Sequence, residues 1–198
     1  MSRDDVLRLL TSVDWSSTRT LTSSSSNFVP DAFRRLIDAR TEADADDAYW
    51  QLDNRVVVQG RLFEASEKLI APLLAALELE LSLAARHRVV ELLTEIALGE
   101  TGKEELAVGN TGLAEASRAE IRSGLSSVYK LLEDPDPRVR RAALHILDAV
   151  ELDRRRLAAA AATVARTDSD EEARAYAREN LVNGVGPGFH ERRAQRNR

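Results

Sequence analysis

No cysteine occurs among the 198 residues, so disulfides, thiolate metal sites and a cysteine nucleophile are all excluded. Lysine is scarce too: the 28 basic residues are 25 Arg and 3 Lys. With abundant alanine this suggests a GC-rich, actinobacterial type of genome, a statement about codon usage rather than function. No apolar run approaches the roughly 20 residues of a membrane span. The opening Met1-Ser2-Arg3-Asp4-Asp5 lacks the charged-then-apolar pattern of a secretory signal. A cytoplasmic location without membrane association is therefore expected. The single β-branched run, Val56-Val57-Val58, falls inside a helical pattern, so no sheet is expected either.

Apolar residues make up 43% of the chain and charged residues 31%, the balance of a soluble, packed helical protein rather than a disordered one. The length suits one domain, read as residues 1–183. Net charge is −5 but unevenly placed. Residues 1–135 carry 23 acids and 15 bases, a net of −8, whereas 136–198 carry 10 acids and 13 bases, a net of +3.

Asp136, Pro137, Val139, Arg140, Ala143 and Leu147 are echoed 34 residues later by Asp170, Ala173, Arg174, Ala177 and Leu181. Each residue type suits one place in a helix pair. The two aspartates can accept orphan N–H groups of a first helical turn, and Pro137 fits the first helical position. Val139, Ala143 and Leu147 share a face, as do Ala173, Ala177 and Leu181. Between the copies Asp153 can cap a second helix with the stripe Leu157, Ala160, Ala161 and Val164. A fixed period in this range marks stacked helical repeats.

These residues resemble a HEAT-type repeat. The resemblance implies an all-α, right-handed α-solenoid of antiparallel helix pairs, firm over the last third of the chain. The segment from Tyr49 to Ala65 also resembles actinobacterial HEAT-like proteins of unassigned role. In the HEAT-like reading Arg140 and Arg174 bond the turn of a neighbouring repeat, for example at Asp136 or Asp170.

Elsewhere the pattern predicts helices over 3–11, from Pro30 to about Arg40, and from the acidic run Glu42–Asp47 through Phe63. A further helix includes Leu69 to Leu77, which Pro72 should kink or end. Another covers about 84–98 and stops at Gly99; a helical turn falls at Glu104–Val108, and a long helix runs from Asn110 or Thr111 through Leu132. Residues 12–27, with their serine run, read as a mobile loop, and 184–198 as a disordered Gly/Arg-rich tail.

Catalytic chemistry is not expected. Gly184–Phe189 lacks the third glycine and the preceding strand of a dinucleotide fingerprint, and Gly99–Glu104 lacks the first glycine and the Ser/Thr of a phosphate loop. His87, His145 and His190 form no local metal pair, and His87 and His145 are expected as exposed surface. No cofactor or metal is expected.

The most suggestive region for a partner is Asp44 to Glu67. Asp46, Trp50, Asp53, Gly60, Glu64 and Glu67 recur at helical spacings, Asp44 and Asp47 of the acidic run join them as candidate partner-binding residues, and an amphipathic Trp flanked by carboxylates suits the anchor of a basic protein partner. Trp50 can equally pack between repeats. Asp53 falls on an apolar arc, either bonded to a neighbour or kept for a partner. The expected function is non-enzymatic protein binding, in its sharpest form an immunity-type inhibitor of a basic toxin or nuclease. The alternatives are nucleic-acid binding, as in DNA-glycosylase relatives built from HEAT-like repeats, and a regulatory scaffold subunit. Nucleic acid is the weaker partner because only residues 136–198 are basic.

Overall fold

The structure, a computed structural model, describes residues 1–21 and 26–182. It is mainly helical, and its residues group into two compact units, Met1–Gly124 and Leu125–Arg198. Among the described residues no helix is long and apolar enough to cross a membrane. The expected tail 184–198 lies outside the described residues.

The first unit holds α1 (Arg3–Thr11), α2 (Val29–Asp38), α3 (Glu42–Val56), α4 (Glu64–Ala76), α5 (Leu83–Leu98), α6 (Lys103–Ala107) and α7 (Leu113–Ser123). Its centre is α5. That helix buries Ala84, Ala85, Val89, Val90, Leu92, Leu93, Ile96 and Ala97, a spread wider than one stripe, so it packs against α2, α3, α4 and α7. Each fully buried leucine there contributes about 1.5–3 kcal/mol of transfer free energy. Ser2 opens α1 with a reciprocal capping box to Asp5, and Ser82 caps α5 by accepting from the Ala85 N–H.

The expectation of a chain without sheet is overturned by three two-residue strands: β1 (Val57–Val58), β2 (Arg61–Leu62) and β3 (Glu100–Thr101). β1 pairs antiparallel with β2, and β2 pairs parallel with β3. The helix expected through Phe63 therefore ends at Val56. Gln59 and Gly60 both adopt positive φ, 52° and 72°, the two-residue turn that reverses a hairpin, and the β-branched run feeds it. Buried Ser66 closes the structure by accepting from the Phe63 N–H (2.9 Å) and donating to the Val56 carbonyl (2.5 Å).

Three other boundaries differ from the pattern. α4 continues past Pro72 to Ala76. The helix expected from 110 through 132 breaks at Gly124, where an added Cβ would lie 2.6 Å from the end of the Leu74 side chain of α4, so a larger residue there would have to push that side chain aside. The described flanks of the 12–27 stretch are pinned rather than loose. Trp15 is buried, its Nε1 donates to the Leu10 carbonyl (2.7 Å), and Ser26 N–H donates to the Trp15 carbonyl (2.8 Å). Composition flagged the serines and gave no weight to one tryptophan anchor.

The second unit contains α8 (Leu125–Lys130) with a 3-10 turn (Leu131–Glu133), then α9 (Pro137–Val150), α10 (Arg154–Thr167) and α11 (Glu171–Tyr176), which continues as a π-helical segment over Ala177–Val182. The 34-residue echo is visible in its bonds. Asp136 N–H donates to Asp134 Oδ1 (2.9 Å), as Asp170 N–H donates to Asp168 Oδ1 (2.8 Å). Arg140 donates to the Asp134 carbonyl (2.8 Å), as Arg174 donates to the Asp168 carbonyl (2.6 Å). Asp136, Asp153 and Asp170 each cap their helix through the side chain. Arg140 also forks Asp168, so its acidic partner is the residue two before the expected Asp170.

His145, expected on the surface, is half-buried and stacks on the Tyr176 ring at 4.3 Å. Tyr176 of α11 lies over it and anchors by donating to the buried Asp148 carboxylate (2.8 Å). Helical spacing alone could not show that α11 covers this position.

Candidate functional site

α3 starts at Thr41, whose hydroxyl accepts from the Asp44 N–H (3.2 Å) and donates to Asp44 Oδ2 (2.7 Å). Its inward stripe is Ala45, Ala48, Tyr49, Leu52 and Val56. That register turns Asp46, Trp50 and Asp53 to the edge of the helix. On α5, which packs against α3, Arg88, Glu91 and Glu95 follow at spacings of three and four and meet that edge.

The two edges interlock around Tyr49. Arg88 Nε donates to Asp46 Oδ1 (2.7 Å), and Arg88 also pairs with Glu91. Its guanidinium lies 4.8 Å from the Tyr49 ring centroid. Trp50 meets Tyr49 edge-on at 5.1 Å and remains 50% exposed, whereas Trp15 is buried. The Tyr49 hydroxyl donates to Asp53 Oδ1 at 3.4 Å, a long and weak bond.

Charge in this cleft is unbalanced. Burial pushes the Asp53 carboxyl up and Glu91 adds to the shift; the Tyr49 hydrogen bond and Arg88 oppose it without cancelling it. Glu95 is raised by burial, then by the nearby Asp53 and Glu91 charges. The Tyr49 phenol is raised by burial and by Glu91, Asp53 and Glu95. Burial works against the Arg88 charge, but Asp46 and Glu91 outweigh it, so its net shift is upward. The cleft holds more carboxylate than its one guanidinium neutralises, which is an arrangement that favours an incoming cation.

The seven residues expected to form the face do not all gather there. Asp46, Trp50 and Asp53 do. Asp44 serves the start of α3, and Asp47 pairs with Arg35 of α2 and accepts from Gln51 Nε2 (3.4 Å). Glu64 belongs to another network, accepting from Arg19 (3.1 Å) beside the buried Glu105. Glu67 lies half-buried on α4. Arg88, Glu91 and Glu95 were missed because they lie about 40 residues from α3; the charged stripe between Val89, Val90 and Leu92 was their only sign.

Among the described residues no group of three or more His, Asp or Glu is placed to hold a metal ion. Comparison with protein-family models, with curated proteins and with solved structures finds no match.

Proposed function

We propose that this chain is a non-enzymatic protein-binding module whose α3–α5 edge receives a basic surface of its partner. The observation that carries the reading is the half-exposed Trp50, held edge-on by Tyr49 beside Asp53 and Glu95, two carboxyls raised by burial and by repulsion from neighbouring carboxylates, Glu91 for both and Asp53 for Glu95. A basic side chain entering there relieves that repulsion while Trp50 loses its exposed face to the partner, the pattern of a binding anchor. In its sharpest form the reading is an immunity-type inhibitor that covers the basic cleft of a toxin or nuclease. We place the 34-residue repeat of the second unit in a HEAT-like, right-handed α-solenoid; its repeated caps and arginine bonds support that reading.

A nucleic-acid interface is the weaker alternative. Of the nine arginines between 136 and 182, seven are ion-paired: Arg138, Arg140, Arg141, Arg154, Arg156, Arg174 and Arg178. Arginines already engaged by protein carboxylates are poorly disposed to neutralise phosphates.

The test isolates a partner from the native host, then follows its binding by tryptophan emission and by kinetics. Trp50 emission should shift to the blue on binding while the buried Trp15 stays constant. Trp50→Ala should raise the off-rate by about tenfold or more, and the paired change Asp53→Lys with Glu95→Lys should slow association at low salt. A partner that binds both variants like the parent places the interface elsewhere.

A further inference from the structure

Within the second unit an open cavity of about 600 Å³ separates α8 and its 3-10 turn from the C-terminal half of α10. This volume falls in the range of roughly 300–1,000 Å³ common to sites for small ligands or single side chains. Leu132, Ala160 and Val164 make its apolar wall.

At the floor Arg140 ties together the two turns that bound the cavity. It bonds the Asp134 carbonyl (2.8 Å), both Asp168 carboxylate oxygens (2.8 and 2.6 Å) and Ser169 Oγ (3.2 Å). All three guanidinium nitrogens are thus engaged. Arg140 is also the one base lining the cavity among the described residues, so nothing is left to hold an anion.

Apart from Ser169, whose hydroxyl accepts from Arg140 at the floor and keeps its own proton, the remaining polar side chains accept hydrogen bonds and do not offer them. The Thr167 hydroxyl gives its proton to the Thr163 carbonyl (2.9 Å), and the Thr163 hydroxyl is aimed at the Ala159 carbonyl (3.5 Å). The Tyr129 hydroxyl donates to Glu151 (2.9 Å). Each oxygen keeps accepting capacity after its proton is directed elsewhere. The Glu133 carboxylate, exposed at the rim, makes no hydrogen bond or ion pair among the described residues.

We infer that this cavity binds an organic cation carried on an apolar stem. Its ammonium or guanidinium supplies the donors that the wall lacks, meeting Glu133 and the threonine oxygens, while the stem covers Leu132, Ala160 and Val164. A free alkylamine and a basic side chain of a peptide share this chemistry. The site stands apart from the α3–α5 cleft and does not depend on it.

The experiment titrates the intact chain with hexylamine and hexylguanidine, following backbone amide signals by NMR, with 1-hexanol and hexanoate as neutral and anionic counterparts. Saturable binding of the cations should move the signals of Leu132, Thr163 and Val164, with hexanol about tenfold weaker and hexanoate inactive. Ala160→Leu, which fills the cavity, and Glu133→Gln, which removes the rim charge, should each weaken the cation about tenfold with helix content unchanged. Thr163→Val gives a second test that preserves shape. A Leu-Arg-Leu peptide that outbinds hexylguanidine, and loses its advantage when citrulline replaces arginine, marks a protein side chain as the source; the reverse order marks a free amine. Absence of saturable cation binding, equal binding of hexanol or hexanoate, or binding that Ala160→Leu leaves intact overturns the assignment.

Discussion

Arg140 and Asp168 are joined by two parallel hydrogen bonds across 28 residues, with side-chain exposures of only 10% and 3%. The pair links the start of one helix pair to the start of the next. Removing the arginine leaves a buried carboxylate without a partner, so Arg140→Ala should cost about 3–5 kcal/mol in urea unfolding. Arg140→Lys should recover little of this, because an ammonium cannot reproduce the fork. A loss under 1 kcal/mol would mean that solvent already screens the pair.

The same pair sets an acid limit. The Arg140 fork holds the Asp168 carboxyl below its usual pKa despite burial. Its stabilisation is therefore fully present above the unfolded value of 3.8 and is lost as pH falls through the lower folded value. Asp168→Asn should flatten that part of the pH–stability curve.

His145 acts at higher pH. Burial lowers its pKa below the ordinary 6.5, with Asp148 opposing and Arg141 assisting. The unfolded chain then takes up the proton first, so stability is complete above about pH 6.5 and declines as pH falls toward the folded pKa, where it levels. His145→Phe keeps the stack on Tyr176 and should remove this decline in melting curves between about pH 7 and pH 5. An unchanged decline would assign it to other groups.

Gly102 allows β2 and the chain after β3 to meet. Its N–H donates to the Leu62 carbonyl at 3.0 Å, and an added Cβ would sit 2.8 Å from that oxygen. Since backbone cannot swing aside as a side chain can, Gly102→Ala should destabilise the first unit by about 1–3 kcal/mol. A neutral result in thermal unfolding would show that the strand pairing adjusts freely.

Gln59 offers a gain. It adopts a φ of 52° in the hairpin turn, a conformation that asparagine or glycine tolerates better. Gln59→Asn should stabilise by about 0.5–1 kcal/mol, measurable as a higher melting temperature.

The caps and stripes of α9 and α10 were legible because short-range chemistry determines them: Asp136, Pro137 and Asp153 act within their own turns. What the sequence hid depends on distant partners. Val57–Val58 reads as helix until β2 and β3 supply its sheet, and Gly124 ends α7 inside a continuous helical pattern, at a place where the distant Leu74 side chain lies against it. In the α3–α5 cleft, Trp50 and Asp53 stood out by type, whereas Arg88 and Glu95 gained significance only when α5 was brought against α3.

Glu105 is 1% exposed, and its carboxylate is closed by Arg19, 86 residues earlier in the chain, with Asn110 and the Glu64 N–H completing the shell. Burial alone would raise this carboxyl, yet these partners hold it down. During synthesis Arg19 emerges long before its partner exists, so α6 can settle as a charged, buried segment only once the chain's beginning has folded back to meet it. Closing so long a loop adds little entropy beyond a shorter one, but it delays the step. The N-terminal segment thus works as a latch, and a chain lacking residues 1–19 should leave α6 detached or Glu105 protonated while α2–α5 still assemble.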